Sequence, residues 1–216
     1  MVSFKEITYK DAVAFLIDKH YSGRIPQIKY AYGMTERGKL VAVCTYGIPA
    51  SRSLCVGLLG KEFYAHVIEL NRLCRIDGVL TPMSKFVSYS LKSLKKYNLV
   101  VVSYADEGMN HFGTVYQASN FLYTGKTKQR TDKYTEGNKH SRHYDNNNNH
   151  LRKVRTSKHR YVYFACDKPT KKRLIKNLKY PTKAYPKGET SFYTLGDFQK
   201  PLIYNKVTGE YFHEQL

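Results

Sequence analysis

No stretch of this 216-residue chain approaches the roughly 18 consecutive apolar residues that a membrane-spanning helix needs. Its first residues, MVSFKEITYKDAVAFLIDKH, are broken by charges and carry no signal-peptide pattern. Cysteine is scarce. Cys44, Cys55, Cys74 and Cys166 are scattered, with no CxxC and no zinc-like spacing. That argues against a disulfide scaffold or a zinc module and predicts small core thiols in a reducing, cytosolic compartment. The glycine-rich phosphate loops GxGxxG and Walker A are missing as well, which excludes those two modes of nucleotide binding. Acidic side chains are few, 17 Asp and Glu against 36 Lys and Arg.

The resulting formal net charge of +19 exceeds what a solvated surface requires and points to a polyanionic partner. The surplus is local. Residues 126–187 hold 19 basic and four acidic side chains, whereas the rest of the chain holds 17 and 13. A polyanion site is therefore expected mainly in the last third. With 42% hydrophobic residues the chain can form one sizeable core, or a core with an appendage.

The chain is organised around LVVVSYADEGMNHFGTVYQASNF, residues 99–121. Leu99 to Val102 is short, apolar and β-branched, as in a buried strand. Its polar exit, Ser103-Tyr104-Ala105-Asp106, falls where open α/β sheets bind ligands. Asn110 is expected to cap a short helix through Thr114 to Ala118. This unit delivers a carboxylate (Asp106), an imidazole (His111) and a phenol (Tyr116), although a capping Asp, a surface His and a core Tyr would share the spacing.

Upstream, the pattern predicts a strand over Val2 to Ile7 and a helix with Ala12, Phe15 and Leu16 inward, ended by His20-Tyr21-Ser22-Gly23. A hairpin follows, Lys29 to Met34 and Leu40 to Tyr46, then a small-residue loop from Gly47 to Gly60 and a strand within Ala65 to Arg75. Thr81 and Pro82 are expected to open a helix reaching about Tyr97, with Met83, Phe86, Val87, Leu91 and Leu94 buried. A strand, a turn and a helix amino terminus can bind an anion, and they also make an ordinary β–α connection. Another strand is expected near Phe121 to Tyr123. Downstream, Gly125 to Asn149 reads as a long polar loop and Arg160 to Ala165 as a strand. Lys171 to Tyr180 reads as a basic helix with Leu174, Ile175 and Leu178 inward, and the tyrosine-rich tail is expected to fold back on the core. The order of elements predicts an α/β (α+β) fold, a mixed central sheet flanked by helices with a basic carboxyl-terminal extension.

That order resembles the acyl-CoA-dependent N-acetyltransferase (GNAT) superfamily over roughly residues 1–125, with Tyr116 where the superfamily commonly protonates the leaving thiolate. More specifically, several phrases resemble the Mom family of phage DNA-modification proteins. These are His20-Tyr21-Ser22-Gly23, Leu70-Asn71-Arg72-Leu73 with Pro82 to Ser84, Tyr104-Ala105-Asp106, Gly113 to Phe121, Lys139 to Tyr144 and Pro186-Lys187. The resemblance implies a catalytic centre of His20, Tyr21, Asp106 and Tyr116, cofactor contacts at Arg72 and Ser84, acetyl-CoA or a related acyl-CoA as donor, and iron near the same four polar residues. It also implies installation of a methylcarbamoyl group on N6 of adenine in double-stranded DNA, in the host cytoplasm on the nucleoid, protecting phage DNA from restriction. The implied organisation is a core at 1–125 and a DNA-binding extension at 126–216 packed on it as one compact unit.

Adenine N6 is a weak nucleophile and needs a base, for which Asp106 is the candidate; Tyr116 would protonate the thiolate. A target base must be flipped out of the duplex, and Tyr134, Tyr144, Tyr161 and Tyr163 lie among the cations, though most tyrosines there are expected in the core or in strands. Candidate phosphate contacts are Lys139, Arg142, Arg152, Lys153, Arg155, Lys158, Arg160, Lys171 and Lys172. An N-acyltransferase acting on an RNA base or a protein amine, or a non-catalytic DNA-binding protein, would carry the same charge.

Overall fold

The computed structural model describes residues 1–20, 24–136, 143–189, 191 and 200–214. Seven strands form the main sheet in the order β1-β2-β3-β4-β5-β9-β6, and four more form a second sheet, β11-β10-β8-β7. In the main sheet these are β1 (Val2–Glu6), β2 (Tyr30–Glu36), β3 (Lys39–Gly47), β4 (Val67–Arg75), β5 (Leu99–Asp106), β6 (Leu122–Lys126) and β9 (Lys158–Ala165). In the second sheet they are β7 (Arg130–Lys133), β8 (Leu151–Arg155), β10 (Leu202–Asn205) and β11 (Tyr211–His213). The helices are α1 (Tyr9–Leu16), α2 (Arg52–Phe63), α3 (Met83–Leu94), α4 (Thr114–Ala118) and α5 (Lys168–Ile175). The fold is the expected mixed sheet flanked by helices. Among the described residues no helix is long and apolar enough to cross a membrane.

Strand alternation sorts the core into two faces. Ile68, Leu70, Val101 and Ala105 point to the face covered by α3 and α4, with Phe86, Val87 and Leu91 of α3 fully or almost fully buried. Val67, Val100, Val102 and Tyr104 point to the face covered by α2 and α5. The β2–β3 hairpin closes through Arg37 and Gly38, both left-handed (φ 51° and 77°), a two-residue turn whose twist suits the strands it joins.

Several sequence expectations change. The segment read as a loop from Gly47 to Gly60 is largely helix α2. Cys55, Leu58, Leu59 and Phe63 recur at helical spacing, and Gly60 kinks the end at φ 82°. Helix α1 ends at Leu16, ahead of His20. Gly113, left-handed at φ 73°, precedes α4 where Asn110 was expected to cap it. Pro82 takes the N-cap position of α3 and Thr81 instead donates to Glu36 Oε1 at 2.7 Å. The polar loop after Gly125 contains strand β7. Leu174 of α5 is buried, but Ile175 is exposed because the helix rests on the sheet by a single narrow stripe.

The boundary at 125 is not a structural one. It falls inside β6, and β9, from the segment read as an extension, runs between β5 and β6 in the main sheet. Only Thr156 and Ser157 separate β8 of the second sheet from β9 of the first, so the basic region is woven into the core.

Candidate active site

β4 and β5 are the one parallel pair in the main sheet and stay paired only from Val67↔Val100 to Leu70↔Ser103. Beyond this point β4 keeps its bonds to β3 and β5 keeps its bonds to β9, so the two strands diverge. At the crotch of the fork, the buried Ser103 hydroxyl donates to Leu70 O at 3.0 Å. A cleft of about 1060 Å³ opens at the fork, lined by the diverging strand ends, the start of α2, the α4 turn and the second sheet.

Its charge is lopsided. Arg24, Arg72, Arg75, Lys128, Arg130, Lys153, Arg155, Lys158 and Lys200 line it, against Glu69 and Asp106. Such a surface attracts polyanions and focuses its field inside low-dielectric walls. Burial and the neighbouring Arg155 and Arg24 hold Lys153 below the ordinary lysine range. Arg155 donates to Asp132 Oδ2 at 2.7 Å, which fixes one guanidinium at the cleft wall.

Asp106 is almost fully buried at the end of β5. Its Oδ1 accepts from Gly108 N at 3.0 Å and from Thr156 Oγ1 at 2.5 Å, and its Oδ2 pairs with Lys158 Nζ at 2.6 Å. The carboxylate expected to act as base is thus engaged on both oxygens. His20 is buried beside the same cleft, and burial, then Arg72, then His111 lower its pKa to about 3, which keeps the ring neutral. His111 is lowered too, chiefly by burial, with Asp106 and a hydrogen bond to the Ser191 backbone opposing. The Tyr116 ring lies 5.4 Å from those of Phe121 and Tyr161 on the α3–α4 face.

His20, Arg72, Asp106, Tyr116, Lys153, Arg155 and Lys158 all line the cleft. Arg72 donates to Asn71 O at 2.6 Å and to Arg24 O at 3.0 Å, which ties it to the chain after α1. Ser84 lies in the first turn of α3 outside the lining, which Met83 reaches instead. Tyr21, Lys139 and Arg142 lie outside the described residues. Arg152 is paired within the second sheet, opposite Tyr204 and Lys133.

Arg160 is not a surface cation. It is buried, donates to Thr124 Oγ1 at 2.9 Å and Thr124 O at 3.0 Å, and lies 3.3 Å from the Tyr180 ring centroid. A central strand leaves no route from this guanidinium to a phosphate. Lys158 is held by Asp106 inside the cleft. Lys171 and Lys172 are exposed on α5, which starts beyond Ala165, at the opposite end of β9 from Lys158. Tyr161 is fully buried and cannot stack on an extruded base.

The cleft does not fit the implied iron. Both Asp106 oxygens are engaged, the surrounding charge is positive, and among the described residues no group of three or more His, Cys, Asp or Glu could hold a metal ion.

Sequence reasoning missed Glu69, His111 as a cleft residue, and the wall made by Lys128, Arg130, Lys200 and His213. Glu69 stood in an apolar strand phrase that gave no signal of its own. The rest reach the cleft by tertiary pairing.

Residues 1–187 match the sequence model of the Mom protein family. No curated protein matches the chain. Among solved structures it is similar to an N-acetyltransferase from Staphylococcus aureus Mu50, with 12% identity over 76% of this chain and 99% of that one and a TM-score of 0.48. It is also similar to a GNAT-family acetyltransferase from Bacillus cereus, with 14% identity over 76% and 97% and a TM-score of 0.43. A third is yncA from Salmonella typhimurium, solved with its cofactor acetyl-CoA, with 8% identity over 76% and 94% and a TM-score of 0.48.

Proposed function

The chain belongs to the Mom protein family, and we propose that it is a DNA-modifying acyltransferase that uses an acyl-CoA donor on N6 of adenine. Phage-encoded and working on DNA in the host cytoplasm, it would shield that DNA from restriction nucleases. The methylcarbamoyl group named by the family resemblance is the proposed modification. The observation that carries the reading is the forked, cation-lined cleft into which His20, Asp106 and Tyr116 all reach.

Both proposed substrates are polyanions. Past Leu70 and Ser103 the facing edges of β4 and β5 no longer pair with each other, so an extended amide chain such as pantetheine can hydrogen-bond there as an added strand would. Arg72 and Arg75 supply charge on the β4 side of the fork for the donor's phosphates. Acetyl-CoA, when bound, supplies the thioester. Tyr116, reaching the cleft from the α3–α4 face, is placed to protonate the departing thiolate. On the other side, Lys128, Arg130, Lys153, Arg155 and Lys200 form the wall proposed to hold the DNA backbone while the target nucleotide is flipped inward.

The test is mass spectrometry of nucleosides from DNA of cells expressing the wild type or Tyr116→Phe. The expected result is a heavier deoxyadenosine in the first and much less of it in the second. Unmodified DNA from wild-type cells, with DNA binding intact, would replace the reading with a non-catalytic binding protein. Modified RNA or protein in place of DNA would keep the acyl transfer and change the acceptor.

A further inference from the structure

The cleft holds two carboxyl groups, and they differ in what they are bonded to. Asp106 accepts a backbone N–H, a threonine hydroxyl and an ammonium group. Each of these favours the charged carboxylate and occupies a lone pair that a proton would need. Glu69 lines the same cleft and is partly buried, and its side chain has no hydrogen bond or ion pair among the described residues. It sits one residue before the fork, where Glu69 pairs with Val102, so its position is set by the last regular stretch of parallel sheet rather than by a loop.

Its face matters. Glu69 alternates with Leu70 and therefore points with Val67, Val102 and Tyr104 to the α2 side of the sheet, where Ser51 and Leu54 also line the cleft. The second sheet supplies the cationic wall of the same cleft. Tyr116 packs with the core on the opposite face. A thioester held in the fork would then have a carboxylate toward one face and a phenol toward the other. An amine attacking a thioester carbonyl needs this division, because its proton leaves on the side of attack while the sulfur departs on the other.

We propose that Glu69, rather than Asp106, is the general base that takes the proton from the acceptor amine. This rests on the acyl-transfer reading above. As the N–C bond forms at the thioester carbonyl and the C–S bond breaks, one amine proton passes to the Glu69 carboxylate. The sulfur takes its proton from Tyr116, so the products are the N-acyl amine and the free thiol. Asp106 becomes a positioning residue that holds Lys158 and Thr156 at the cleft wall.

The groups facing Glu69 are consistent with the role. Arg72 on β4 and Lys158 on β9 lower its pKa, and Tyr104 on β5 and Cys55 on α2 feel its charge. Burial outweighs the two cations and raises the carboxyl above its ordinary value. That moves it toward the range where a base is effective at neutral pH.

The test is the pH–rate profile of DNA modification by the full-length wild type, Glu69→Gln, Glu69→Asp and Asp106→Asn. DNA affinity and acetyl-CoA affinity are measured on each. Glu69→Gln is expected to lose about 100-fold or more in kcat and to lose the acidic limb of the profile, with both affinities unchanged. Glu69→Asp should recover part of the rate and keep that limb, which a merely structural role would not produce. Asp106→Asn should retain the limb. A Glu69→Gln variant with the wild-type rate, or one that loses rate and both affinities together while Glu69→Asp rescues nothing, overturns the assignment alone. A wild type that acylates no DNA overturns the function and the assignment with it.

Discussion

Asp106 and Lys158 are directly opposite residues on β5 and β9, and their side chains close a 2.6 Å ion pair at the mouth of the fork. The pair ties a strand of the central core to the strand that continues into the basic second sheet. Thr156, in the two-residue passage between those sheets, donates to the same carboxylate. Asp106 therefore joins the two sheets where the cleft begins.

Removing that carboxylate should be felt as stability. Asp106→Ala leaves a backbone N–H, a hydroxyl and an ammonium group without their acceptor and is expected to cost about 1–3 kcal/mol. Asp106→Asn keeps an acceptor for Gly108 and Thr156 and loses mainly the ion pair, whose lysine side chain is 40% exposed, so it should cost under about 1 kcal/mol. Urea denaturation of the two variants should separate these values.

His20 should make the protein acid-sensitive. The unfolded chain takes up this proton near the ordinary 6.5, whereas the folded protein does so only near 3. Between those values the unfolded state holds more protons, so stability is lost as pH falls from about 6.5 toward 3, at up to about 1.4 kcal/mol per pH unit. His20→Gln should flatten that part of the stability curve while the carboxylate contribution remains. Chemical denaturation across the window measures the difference in slope.

Charge reversal should locate the polyanion surface. Lys128→Glu with Lys200→Glu, both exposed at the cleft, should weaken DNA binding and lower the salt slope of log Kd by about 1 for each phosphate no longer neutralised. Lys171→Glu with Lys172→Glu, at the far end of β9, should change it less. Fluorescence anisotropy over a salt series gives both numbers, and the reverse order would move the DNA site to α5.

Arg160→Ala should act on the fold and leave the DNA contacts alone. It removes a buried cation–π contact with Tyr180 and two hydrogen bonds to Thr124, with an expected cost of about 2–4 kcal/mol. The salt slope of DNA binding should stay at the wild-type value. A slope reduced by about 1 would return Arg160 to the phosphate surface.

Much of the main sheet was legible because its elements carry local signals. Thr8 caps α1 through a bond from Asp11 N, α3 has a clean apolar stripe, and β5 is an uninterrupted β-branched run. Helix α2 was not legible, because Gly57 and Gly60 dilute an apolar period that is otherwise helical. Among the site residues, His20, Arg72, Asp106 and Tyr116 were found from phrases and strand ends. Glu69 was missed because a carboxylate inside a strand becomes informative only when the neighbouring strand diverges beside it.

The sequence by itself determined the excess of positive charge, the strand-end carboxylate, the helices that cover the α3 face and the family to which residues 1–187 belong. Those are properties of composition, local periodicity and short phrases, which need no partner to be read. Only the tertiary structure decided which cations face the cleft and which carboxylate keeps its lone pairs available. Lys158 and Arg160 are two residues apart on β9 and point to the same face, yet one closes the ion pair at the cleft and the other stacks on Tyr180 in the interior. Strands bring their side chains to partners far away in sequence, and the role of a charge depends on those partners.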